Sequence, residues 1–236
     1  MADALFEREL DRALRDDLAD DTRTTFVPAT DGFPLGATVV RARDRARGVV
    51  VLAPATGVRR RYYAAFQRWL AGQGFDVVTF DYRGIGDSRP PSLAGFHARM
   101  HHWGERDLAG VIAFVERELA PSSLLLVGHS VGGMIALLAA KKRPDLFDRV
   151  MLLGASACYL NLPPEYLGGF DRAGVDELLA FLEINLEAWS AHLAPMVMAN
   201  AERPELTDEL QSYFVRNDPD IAHHFAKVIF LSDHRA

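Results

Sequence analysis

A serine set between glycines, Gly128-His129-Ser130-Val131-Gly132, is the pattern in this chain best suited to covalent chemistry. A serine hydroxyl becomes a useful nucleophile when it stands on a sharp strand-to-helix turn, beside donors for a developing oxyanion. Such a turn is strained and brings backbone against backbone, so the flanking positions leave no room for a Cβ. The chemistry implied is acyl transfer. Ser130 attacks a carbonyl carbon, and the backbone N–H of Val131 is one oxyanion donor. A second donor is expected from the loop Ala53-Pro54-Ala55-Thr56-Gly57, where the Thr56 N–H is the candidate and Gly57 lets the backbone turn.

The flanking segments are those such a turn needs. Ser123 to Val127 is a short apolar run without polar alternation, as expected of a strand covered on both faces. Met134-Ile135-Ala136-Leu137-Leu138-Ala139-Ala140 has strong helix formers and stops at Lys141-Lys142-Arg143-Pro144, cations followed by proline. Further strands are expected at 48–52, 76–80 and 149–153, with helices at 62–73 and 103–119 between them. Strands alternating with helices imply an α/β fold with a parallel, doubly covered sheet. Ahead of these, residues 24–28 and 35–41 suggest a hairpin around Thr30-Asp31-Gly32. Residues 3–20 read as an amphipathic helix with Leu5, Phe6, Leu10, Leu14 and Leu18 along one stripe. From Ser156 the pattern changes to four helical segments, near 175–185, 186–201, 205–216 and 218–231. The organisation expected is an N-terminal helix over 1–21, an α/β core over 22–155 and a helical cap over 156–236.

The totals narrow the function. At 236 residues, with 49% apolar and 25% charged residues, the chain has the composition of an ordinary globular domain. A net charge of −6 argues against nucleic acid or an anionic membrane as partner. The lone Cys158 excludes an internal disulfide and suits a reducing cytoplasm, where it reads as a small apolar filler. The acidic N-terminus lacks the apolar stretch of a signal peptide, and no apolar run approaches a membrane span. The pairs His101-His102 and His223-His224 lack the spacing of a helical zinc site, and no metal or organic cofactor is implied. Asp81-Tyr82-Arg83-Gly84-Ile85-Gly86-Asp87-Ser88 has two glycines of a phosphate loop but no third and no Lys-Ser/Thr, so it reads as a structural turn.

That last segment, preceded by Phe80 and taken with Gly128-His129-Ser130-Val131-Gly132-Gly133, resembles the α/β-hydrolase superfamily over residues 24–235. Residues 24–128, with Pro54-Ala55-Thr56-Gly57 and Trp103-Gly104-Glu105-Arg106-Asp107-Leu108, resemble a poorly characterised bacterial group. Residues 144–235 resemble the cap of the RsbQ-type stress regulators and of the related strigolactone and karrikin receptors. Cys158-Tyr159-Leu160-Asn161, Tyr166-Leu167-Gly168-Gly169-Phe170, Asp218-Pro219-Asp220-Ile221-Ala222 and Phe230-Leu231-Ser232-Asp233-His234-Arg235 carry that likeness. The resemblance implies a four-helix cap over an apolar pocket with Ser130 at its floor. Its walls are expected from Phe170, Trp189, Phe214 and Phe225, with Phe181 a further candidate. The two separate likenesses raise the expectation of a mosaic joined near Ser130.

In such hydrolases the acid and the histidine follow the serine, after two further strands beyond the cap. No strand–Asp or strand–His unit is legible after the four helical segments, so the sheet is expected to lack its last two strands. The histidines after Ser130 are His192, His223, His224 and His234, the last being the least unsuited as base; His97, His101 and His102 precede it. Three readings follow. The first is a serine hydrolase acting on a small apolar ester or similar carbonyl compound. The second is a ligand-binding sensor whose capped pocket serves a regulatory protein partner. The third is an inactive truncated or mosaic chain.

Overall fold

The computed structural model describes residues 22–92 and 94–235. The expected helix over 1–21 lies outside them. The chain divides into two compact units that part between Ala155 and Ser156.

The first unit is built on a six-stranded sheet of order β1-β2-β4-β3-β5-β6. The strands are β1 (Thr22–Pro28), β2 (Pro34–Val40), β3 (Val49–Ala53), β4 (Asp76–Phe80), β5 (Leu124–His129) and β6 (Arg149–Leu153). Four of them, β4, β3, β5 and β6, run parallel, as the alternation with helices requires. The sheet is nonetheless mixed. A tight reversal can join only antiparallel neighbours, and Gly32 supplies its positive φ of 83° between β1 and β2. β2 then lies antiparallel along β4, so the expected hairpin joins the expected parallel strands as one sheet.

Every residue of β3 and of β4 is buried. Their runs, Val-Val-Val-Leu-Ala and Asp-Val-Val-Thr-Phe, suit central strands covered on both faces. The one carboxylate among them, Asp76, accepts the Ala42 N–H at 2.8 Å. Three helices return the chain between strands: α1 (Ala64–Gly72), α2 (Ala109–Glu118) and α3 (Val131–Lys142). The run into α2 starts as early as Met100 and passes through a π-helical stretch, Trp103–Leu108. That stretch buries Asp107, whose carboxylate takes the Arg83 N–H and guanidinium at 2.9 and 2.7 Å.

Register sets the site. β3 and β5 are neighbours, with Ala53 opposite Gly128. The loop carrying Thr56 and the turn carrying Ser130 therefore leave the sheet at the same level, at the carboxyl ends of adjacent parallel strands. This is the edge where open α/β sheets place ligands.

The second unit contains α4 (Arg172–Ile184), α5 (Leu186–Met198), α6 (Pro204–Val215) and α7 (Pro219–Leu231). The apolar run 228–231, the longest strand-like stretch after Ser156, lies inside α7. Asp171, Asn185 and Asp218 cap α4, α5 and α7, their side chains accepting first-turn N–H groups. The beginning and end of this unit pair with each other: His234 donates to the Ala157 carbonyl at 2.8 Å, and Cys158 bridges Asp233. Its core joins Val175, Leu178, Leu179, Leu182, Trp189, Leu193, Ala226 and Phe230. Cys158 is buried, as expected of a small apolar filler. No helix among the described residues is long and apolar enough to cross a membrane.

Candidate active site

Ser130 stands between the end of β5 and the start of α3 with φ 54° and ψ −120°. An L-residue in that region carries roughly 1–3 kcal/mol of strain and persists only where its neighbours hold it. The holding contacts are main-chain bonds. Ser130 N–H donates to the Leu153 carbonyl on β6 at 2.8 Å, and Gly133 N–H donates to the Ser130 carbonyl at 2.9 Å. The glycines have a steric reason. A Cβ on Gly128 would overlap the Gly132 carbonyl, and one on Gly132 would overlap the carbonyl oxygens of Ala53 and Pro54. A Cβ on Gly133 would strike that of Ala155. The helix after Ser130 thus packs backbone to backbone on β5 and on the loop leaving β3.

The hydroxyl of Ser130 is half-buried and takes no hydrogen-bond partner among the described residues. Nor do the main-chain N–H groups of Val131 and Thr56. Val131 is the first residue of α3, where an orphan N–H and the helix dipole favour negative charge. Thr56 lies in the loop after β3, which turns at Gly57 with φ 71°. Its Oγ1 is buried without a partner.

That loop is fixed at Ala55. The Ala55 carbonyl accepts the Val58 N–H at 3.2 Å, and the Ala55 N–H donates to the Tyr63 hydroxyl at 2.9 Å. The same hydroxyl is 2.9 Å from Nδ1 of His129, with the two rings edge to face. Burial pushes the Tyr63 phenol pKa well up and lowers that of His129, so both groups are neutral near pH 7. Sequence reasoning singled out neither Tyr63 nor this use of His129.

The segment 81–88 is a structural turn, as its incomplete glycine pattern implies. Asp81 is buried; it pairs with the Arg60 guanidinium and accepts the Arg60 and Asp87 N–H groups at 2.6 and 3.0 Å. Ser88 Oγ donates to the Asp81 carbonyl at 2.7 Å and accepts the Gly36 N–H at 2.8 Å. Its polar groups are turned on one another.

Among the described residues, no imidazole hydrogen-bonds to Ser130. His129 is engaged with Tyr63, and His102 accepts the Arg99 N–H at 3.3 Å. His192 stands beside Phe181 and His224 beside Phe225. His234 contributes its backbone N–H to the pairing with Ala157. Of the four candidate wall residues, Trp189 is buried in the core of the second unit, with Phe170 and Phe214 packed against that core. Phe225 is half-buried on α7.

The family model described as Serine aminopeptidase, S33 (Hydrolase_4) matches residues 44–226. The chain belongs to this family. It is an α/β hydrolase, with esterase-like relatives. Probable esterase D14L of Oryza sativa subsp. japonica is 33% identical over 190 residues, 80% of this chain and 68% of that protein. Karrikin insensitive 2 receptor CA of Petunia hybrida is 34% identical over 161 residues, 68% of this chain and 58% of that protein. A solved hydrolase from Oleispira antarctica, olei00960, superposes with a TM-score of 0.70 at 30% identity, covering 84% of this chain and 70% of that one. An alignment as long as that with the rice protein has to run across Ser130. One natural protein thus aligns with the chain on both sides of Ser130.

Proposed function

We propose that this α/β hydrolase is a serine esterase that acts through Ser130 on a small, largely apolar ester or similar carbonyl compound. The observation that carries this reading is the strained backbone of Ser130, whose free hydroxyl belongs to the same sheet edge as two unpaired amides. Backbone strain is costly and persists where the surrounding structure holds a turn that must expose one group. Ser130 Oγ attacks the carbonyl carbon as its proton passes to a general base, which hands it on to the departing alkoxide. No imidazole among the described residues is hydrogen-bonded to Ser130, so the base is not assigned. The carbonyl oxygen becomes an oxyanion that accepts hydrogen bonds from the N–H groups of Thr56 and Val131. Collapse expels the alcohol and leaves an acyl group on Ser130, which water removes. The lone Cys158 and the charge of −6 favour a cytoplasmic site of action, away from nucleic acid and membranes.

The test is hydrolysis of p-nitrophenyl acetate and butyrate by wild type and Ser130→Ala. The esterase reading expects turnover by wild type and the buffer rate for the variant. Equal rates would refute it.

The petunia receptor's likeness favours a second reading, a ligand-binding sensor with a regulatory protein partner. Thermal-shift screening against small apolar lactones and esters separates the two. A sensor expects stabilisation that persists undiminished in Ser130→Ala, without turnover.

A further inference from the structure

Tyr63 ends the 3-10 turn that leads into α1. It belongs to an apolar cluster with Val40, Val50, Leu52, Ala71, Val77 and Val127. Phenylalanine would fill that space equally well, so the packing does not account for the hydroxyl. The hydroxyl instead meets two groups, the Ala55 N–H and His129 Nδ1, each at 2.9 Å. Ala55 immediately precedes Thr56, and His129 immediately precedes Ser130.

Donor and acceptor roles follow by elimination. The Ala55 N–H can only donate, so the phenol oxygen accepts from it. A phenol carries one hydrogen, and in this buried setting that hydrogen needs an acceptor. Nδ1 of His129 is the acceptor within reach, which leaves the imidazole proton on Nε2. The chain of bonds runs from the Ala55 amide through the Tyr63 oxygen to the His129 ring.

We infer that Tyr63 is a positioning residue that clamps the Thr56 loop to the Ser130 turn, keeping the oxyanion donor and the nucleophile in fixed relation. The inference rests on the reading of Ser130 as nucleophile. It goes further by giving the reaction a residue outside both catalytic segments. α3 packs against the start of the loop at Ala53 and Pro54, and the main-chain hydrogen bonds beyond that point run through Ala55, to Tyr63 and to Val58. Catalysis by oriented amides is sensitive to displacements of about 1 Å. Freeing the loop therefore weakens an interaction made in the transition state more than one made with bound substrate, and the loss falls on kcat.

The experiment compares wild type, Tyr63→Phe, His129→Ala, the double variant and Ser130→Ala on p-nitrophenyl acetate, with thermal melts of each. In parallel, nitrogen-15 NMR reads the His129 tautomer in wild type and Tyr63→Phe. The clamp expects Tyr63→Phe to lose about 10- to 100-fold in kcat with KM within twofold. The melting temperature falls by a few degrees, as expected for two buried groups losing one shared partner, and the His129 nitrogen signals shift. The double variant loses no more than the worse single variant, because both break one connection. The inference is overturned if Tyr63→Phe turns over like wild type while Ser130→Ala is inactive. It is equally overturned if kcat, KM and melting temperature change together, which marks a merely structural role. If Ser130→Ala matches wild type, the esterase reading fails and takes the clamp with it.

Discussion

Ser130 and His129 are sequence neighbours with opposite duties: the hydroxyl is left free while the imidazole is tied to Tyr63. Burial lowers the His129 pKa below its ordinary 6.5. The folded protein therefore favours the neutral ring, and the unfolded chain binds the extra proton first as pH falls. The stability this contributes is fully present above pH 6.5 and is lost as pH drops through the folded value. A wild-type melt should soften over that range, and His129→Asn, which keeps an acceptor but does not titrate, should flatten the slope. His102, also lowered by burial and by Arg106, leaves a residual slope in the variant. Parallel profiles for the two proteins would contradict this assignment. The Ser130 turn was legible in the sequence because its requirement is local: three glycines whose Cβ atoms would collide with backbone or with Ala155. Tyr63 was not. Its partners lie 8 and 66 residues away in the chain, and only the β3–β5 register brings them together.

At the scale of elements, the site depends on how closely α3 approaches the loop from β3. Gly132→Ala sets a methyl group against the Ala53 and Pro54 carbonyls. Overpacking of this kind should cost about 2 kcal/mol or more, read as a lower denaturant midpoint, with activity falling as well. The β1–β2 turn is fastened differently. Asp31 accepts Arg83 Nη1 and Nη2 at 2.8 and 2.9 Å, and Arg106 adds a bond at 2.9 Å. Chiefly through Arg83, the Asp31 carboxyl is held well below the usual carboxylate range. Its contribution is present above about pH 4 and is lost as pH falls toward the folded value. Asp31→Asn should cost about 1 kcal/mol at pH 7, and the gap to wild type should narrow in acid, as chemical denaturation at pH 7 and pH 3 would show. The strands were legible from apolar runs and the four late helices from their helical pattern. The antiparallel β2–β4 pairing was not, since periodicity gives a strand's faces and says nothing about its neighbours.

Across the whole molecule, β6 forms one edge of the sheet, with Met151, Leu152 and Leu153 exposed. Leu137 and Leu138 of α3, which packs beside β6, are exposed as well. An apolar edge with unpaired main-chain groups invites association. Met151→Lys should raise the concentration at which the protein begins to aggregate, measured by light scattering, and an unchanged onset would argue against the edge as its origin. Membership of the hydrolase family was readable because its motifs are short and local, whereas a substrate is chosen by surfaces that no motif encodes. The role of Ser130 can be read on the intact chain. After incubation with a fluorophosphonate, mass spectrometry should find one added phosphonyl group, mapped to Ser130 and missing in Ser130→Ala. A wild-type mass that does not change, or an adduct that survives in the variant, would contradict the nucleophile on which the proposed activity rests.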